Sequence, residues 1–134
     1  MKTIKDIYNI SQGELKAKYA LDIWYNTLIE KTVTEIDITD ICRMLRQEIF
    51  IELAIERALE YLKQNPLIGD VYDGQLLELL SSVDVIKLKK YKKSIKELLF
   101  DIKTRLDIND FFSQEDYIEY VDLLEKFLDK LDSR

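Results

Sequence analysis

The chain has no histidine, one cysteine, one proline and three glycines in 134 residues. Without histidine it lacks the commonest general base near neutral pH and the commonest metal-binding side chain, so most hydrolase arrangements are excluded. Cys42 has no partner for an intramolecular disulfide and no histidine to activate it; on a predicted helix its expected place is the core. No run approaches the ~20 apolar residues of a membrane span. The opening MKTIKDIYNI interrupts its apolar residues with Lys2, Lys5 and Asp6, leaving no export-signal core. Neither a Walker motif nor a GxGxxG loop is present to cradle phosphate. These absences point to a cytoplasmic protein with no catalytic residue, no cofactor, no metal, no small-molecule substrate and no membrane partner.

The composition, 47% apolar and 34% charged, is that of a folded soluble chain, and its length suits one domain over residues 1–134. Charge is unevenly placed. Residues 1–86 carry 9 basic and 15 acidic side chains, 87–105 carry 8 and 2, and 106–134 carry 3 and 9. Two acidic stretches flank a basic one, so a basic partner is the default expectation.

Apolar residues recur at helical spacing and breakers are rare, which predicts an all-α fold, a compact single-domain bundle of about five to six helices. SQGE, Ser11 to Glu14, has the form of a capping box before a helix running to about Lys31, with Ala20, Ile23, Trp24 and Leu28 on one face. Thr32 to Ile38 reads as a connector, and Thr39 as the N-cap of a second helix, Asp40 to Gln47, that bends into a third carrying Phe50, Ala54, Ala58 and Leu62. Asn65 and Pro66 stop that helix, because proline lacks the amide and disfavours α geometry before it. After the loop, Asp73 or Gly74 starts a short helix with Leu76, Leu77, Leu80 and Val83 inward. A lysine-rich helix over 87–105 places Tyr91, Ile95, Leu98, Leu99 and Ile102 on one side and Lys89, Lys93, Lys96 and Lys103 on the other. A last helix, begun by Ser113, repeats Tyr117, Val121, Leu124, Leu128 and Leu131.

Few residues invite a chemical role. Asp70 and Asp73 are close enough to share a hard cation, although turn and cap duties explain them with less. The run KLKKYKKSIK is the one nucleic-acid footprint, but its tyrosine projects with the apolar face, leaving a plain amphipathic helix. Glu48, Glu52, Glu56 and Glu60 recur at every fourth position. Like charges so spaced repel by a few tenths of a kcal/mol per pair, and a basic partner would give them a use. These four glutamates with Asp70 and Asp73 form the candidate contact set.

The order of DITDICRMLRQ, ALEYLKQNPL and YDGQLLELL resembles the helical immunity proteins of contact-dependent growth inhibition (CDI) systems. The resemblance covers about residues 39–80 and rests on Gln47, Ala58, Leu59, Leu62, Asn65, Pro66, Leu67, Tyr72, Gly74, Leu76 and Leu77. Two positions depart from the pattern: the family's usual arginine falls at Cys42, with Arg43 one place later, and its usual aspartate after the glycine is Gln75. The motif residues Gln47, Asn65, Pro66, Leu67, Tyr72, Gly74, Leu76 and Leu77 read as architectural. The resemblance implies a protein that performs no reaction and neutralises a cognate toxin C-terminal domain, many such toxins being nucleases, by stoichiometric binding. Two other classes stay open: a nucleic-acid-binding regulator using the lysines of 87–105, and a helical adaptor or homodimer built on the last helix. Nucleic acid is the disfavoured partner of the three.

Overall fold

Thr3 opens the chain with a reciprocal cap. Its hydroxyl accepts from the Asp6 amide at 3.3 Å, while the Asp6 carboxylate accepts from the Thr3 amide at 3.0 Å. The turn that follows, α1 (Ile4–Ile7), is too short to persist alone. The amides of Ile4 and Lys5 bond to the carbonyls of Lys31 and Ile29 at 2.8 and 2.9 Å, beyond α2 (Ala20–Leu28). The computed structural model describes residues 1–10 and 19–132. The capping box expected at Ser11–Glu14 and the start of the first expected helix lie outside the described residues. Chain contacts define two compact units, Met1–Ile41 and Cys42–Arg134.

In the first unit the expected face of α2 is only partly realised: Leu28 is buried and Trp24 half-buried, but Ala20 and Ile23 are exposed. Only the last turn of this short helix reaches apolar surroundings. A 3₁₀ turn, Val33–Glu35, is capped by Thr32 and leads to α3 (Ile38–Gln47). Its cap is Asp37, not the expected Thr39. The Asp37 carboxylate accepts from the Asp40 amide at 2.8 Å, and Asp40 returns the bond to the Asp37 amide at 3.3 Å. An aspartate so placed serves the free amides better than a threonine inside the first turn. Asp40 is itself buried, and its carboxylate accepts from the Trp24 indole at 3.0 Å and the Lys31 ammonium at 2.6 Å.

In the second unit, α3 gives way to α4 (Ile51–Gln64) through Glu48 and Phe50, both in left-handed geometry at φ 53° and 49°. The expected bend is thus a break. Then follow α5 (Gln75–Ser81), α6 (Val85–Leu88), a 3₁₀ turn at Lys89–Tyr91, α7 (Lys92–Arg105), a 3₁₀ turn at Ile108–Asp110, and α8 (Gln114–Asp132). Six of the described α-helices have seven residues or more, and no strand is present among the described residues. The lysine-rich segment is therefore two helices with a tight turn between them, although Tyr91, Ile95, Leu98, Leu99 and Ile102 are all buried as expected. The last helix buries Tyr120, Leu124, Phe127 and Leu131, a stripe rotated from the expected one, with Tyr117, Val121 and Leu128 only half-buried. Ser113 does cap it, accepting from the Asp116 amide at 3.1 Å. Helix α4 packs on α5 and α7, and α8 on α6 and α7.

Helix C-termini leave carbonyls that need donors. Lys130 of α8 donates to the carbonyls of Ser81, the last residue of α5, and Val83, at 2.5 and 2.6 Å. Arg105 donates to the Lys63 carbonyl near the end of α4 at 3.1 Å. Burial lowers the Lys130 pKa from its ordinary value, with Asp84 opposing. Replacement of Lys130 by Met should lower the unfolding free energy by about 2 kcal/mol, the scale of hydrogen bonds to a charged donor, as read by urea denaturation.

Burial raises the Asp40 pKa, but the Lys31 ammonium, the Trp24 indole and the Asp37 amide outweigh it and hold the carboxyl below its usual range. The Asp40 bond in turn raises Lys31. A depressed carboxyl stabilises the fold above its unfolded pKa of about 4 and loses that contribution as pH falls through the folded value. The raised Lys31 contributes below its unfolded pKa of about 10.4 and loses its share as pH rises through the folded value. Urea unfolding followed by Trp24 fluorescence should show stability falling on the acid side, and Asp40→Asn should flatten that slope.

Candidate functional site

The glutamate row and the lysine block meet one another. Glu48 pairs with Lys87 at 2.8 Å, Glu52 with Lys90 at 3.7 Å, and Glu56 accepts from the Tyr91 hydroxyl at 2.9 Å. Glu60 is held by Arg57 of its own helix at 2.7 Å. Apart from Arg57 with Glu60, these partners lie 35 to 39 residues apart in sequence, which shows nothing of the pairing; Glu52 and Glu56 of α4 meet the turn at Lys89–Tyr91, while Glu48, in the left-handed break before α4 and so off the expected single helix face, meets Lys87 of α6. Exposed pairs of this kind contribute ~0–1 kcal/mol each. Of the four lysines in the nucleic-acid reading, Lys96 pairs with Asp132 at 2.7 Å and Lys103 with Glu125 at 3.9 Å, leaving less positive charge facing outward.

The motif stretch after α4 forms a corner whose polar groups are closely satisfied. The Asn65 side chain accepts from the Leu67 amide at 3.0 Å, the Leu67 carbonyl from the Gly74 amide at 2.8 Å, and the Ile68 carbonyl from the Leu76 amide at 3.1 Å. Gln75 is buried, and its side-chain oxygen accepts from the amides of Asp70 and Val71, both at 2.8 Å. The residue that departs from the resembled pattern thus organises the loop. Gly74 sits at φ 84°, where a side chain is strained, and a Cβ on Gly69 would collide with the Tyr72 carbonyl. From α8, the Tyr120 hydroxyl donates to the Pro66 carbonyl at 2.6 Å, and burial raises its pKa from the ordinary phenol value. Leu76 and Leu77 enter the core. Tyr72 stays 48% exposed and donates to Glu78 at 2.8 Å, so its ring lies on the surface. Gln47, at the end of α3, is exposed.

Beside this corner lies an open groove of about 760 Å³. One side is the loop, with Leu67, Tyr72, Asp73 and Gly74, and the other is the start of α8 with the residues before it. Phe111 packs against the rings of Tyr117 and Tyr120, centroids 5.3 and 5.5 Å away, whereas its neighbour Phe112 is 97% exposed. Asp73 belongs to this groove; Asp70 sits exposed on the same loop outside its lining. No group of three or more metal-binding side chains gathers among the described residues. The α8 wall escaped the sequence reading; its one signal was FFSQED, two adjacent phenylalanines off any helical period before an acidic helix start. Cys42 is buried, and burial raises its thiol pKa.

An all-α protein whose carboxylates line an open groove and pair across its surface is the class these observations define. The chain belongs to the CDI immunity proteins: the profile of the family so described matches residues 6–98, more than half of the sequence. A comparison with curated proteins finds no match. The matched span includes the corner and the glutamate row and ends before α8. No described helix is long and apolar enough to cross a membrane.

Gln75→Ala would leave the Asp70 and Val71 amides without their acceptor. Amide hydrogen exchange at residues 70 and 71 should accelerate at least ~10-fold, with a stability loss of about 1–3 kcal/mol.

Proposed function

We propose that this protein acts in the cytoplasm as the inhibitor of a cognate CDI toxin, binding the toxin's C-terminal domain one to one and performing no reaction of its own. Family membership over residues 6–98 carries this reading. The formal charge of -6 and the absence of histidine support it. A nuclease toxin suits the charge, because a cleft that holds phosphates must be basic. An acidic inhibitor would be drawn to such a cleft and would compete with nucleic acid for it. A stable complex of this kind buries about 800 Å² on each partner.

The acidic contact set expected from the sequence is offered to that cleft unequally. Glu48, Glu52 and Glu60 each have a cation within 4 Å, and Glu56 has the Tyr91 hydroxyl, so a partner would have to compete for them. Asp73 has no ion pair among the described residues.

The test is co-expression with the C-terminal domain of the large secreted protein expected from the gene immediately upstream. Cells making that domain alone should stop growing, cells making both should grow, and the two proteins should copurify at equal stoichiometry. Growth arrest that persists with both present would reject the proposal.

A further inference from the structure

We propose that the groove between the 65–74 loop and α8 seats an arginine of the toxin domain. The guanidinium stacks on Phe112 and is bound by Asp73 and Glu119. This rests on the reading of the chain as a toxin-binding immunity protein and adds the surface and the chemistry it recognises.

Phe112 supplies the first argument. Phe111 already fills the aromatic cluster with Tyr117 and Tyr120, so the fold does not use the next ring, which stands 97% exposed at the groove. A phenyl ring left in water forgoes the burial that a partner would supply, and rings of this kind anchor interfaces.

The carboxylates supply the second. Several acidic side chains elsewhere in this unit meet cations, as in Glu48 with Lys87, Asp132 with Lys96, and Asp122 with Lys126. Asp73 and Glu119 line the groove and have no ion pair among the described residues. The groove's one cation, Lys126, is taken by Asp122 at 2.8 Å. Asp116 lines it too, but has a local use beside the free amides at the start of α8.

Ligand chemistry then separates the possible occupants. A nucleic acid would bring phosphates against carboxylates, and an apolar helix would strip water from Asp73 and Glu119 without compensation. An ammonium would meet the carboxylates but is strongly hydrated and compact. A guanidinium is planar, weakly hydrated, stacks on aromatic faces and donates a fork of bonds to carboxylate, so it uses both features of the groove. The α8 wall lies beyond the residues matched by the family, so this half of the groove is contributed by the part of the chain that the family profile leaves out.

The experiment measures binding of the upstream-encoded toxin domain by calorimetry. Phe112→Ala should weaken the complex ~10-fold or more. Asp73→Asn with Glu119→Gln should weaken it to a similar degree and reduce its salt dependence, while Glu97→Gln, exposed on α7 away from the groove, should change affinity less than ~2-fold. All these side chains are exposed, so circular dichroism and melting should match the wild type. Among Arg→Lys replacements on the toxin, one should lose affinity, and combining it with Phe112→Ala should add little further loss. Wild-type affinity in both groove variants overturns this inference and leaves toxin neutralisation standing. A wild-type chain that neither binds nor protects overturns both.

Discussion

Pro66 imposes the constraint on which the second unit depends. It ends α4 abruptly, and the chain must then turn and re-enter the core at Leu76 within a few residues, with its amides satisfied. The Gln75 side chain meets two of those amides from below, Asn65 a third, and Tyr120 reaches from α8 to hold the Pro66 carbonyl. Because α8 supplies that last bond, the corner and the final helix are positioned together. The groove between them follows from the same arrangement.

A second theme is the use of charge within the chain. The basic stretch between two acidic ones serves as internal complement: Lys87 and Lys90 face the glutamate row, Lys96 and Lys103 face α8, and Arg105 takes a carbonyl near the end of α4. Each surface pair is weak. Arranged along two helix contacts, they favour one register of α4, α7 and α8 over its neighbours. Asp73 and Glu119 at the groove are among the carboxylates without an ion pair in the described residues, as are Glu97, Asp110 and Glu115 elsewhere in the unit. The net charge of -6 would act at long range on a basic partner.

The helical class, the stop at Pro66, the inward leucines of α5 and the buried face of α7 were legible in the sequence, because spacing and breakers act locally. Other features were not. The helix cap moved from Thr39 to Asp37 because the reciprocal bond with Asp40 also ties in Trp24 and Lys31. The buried stripe of α8 turned to Tyr120 and Phe127 because Tyr120 must reach Pro66, 54 residues earlier. The candidate glutamates were visible as a row, but their partners were not, since period along one helix carries no information about which helix will lie against it.

The sequence by itself determined the class of fold and the family: a chain with helical periodicity and with NPL and YDGQLL in order has those properties however it packs. The tertiary structure alone decided which charges are spent inside the protein and which face outward. The reason is physical. Periodicity and turn propensity depend on neighbours in the chain, whereas the fate of a carboxylate depends on what comes within a few ångströms in space, and here those neighbours are brought together by helix packing.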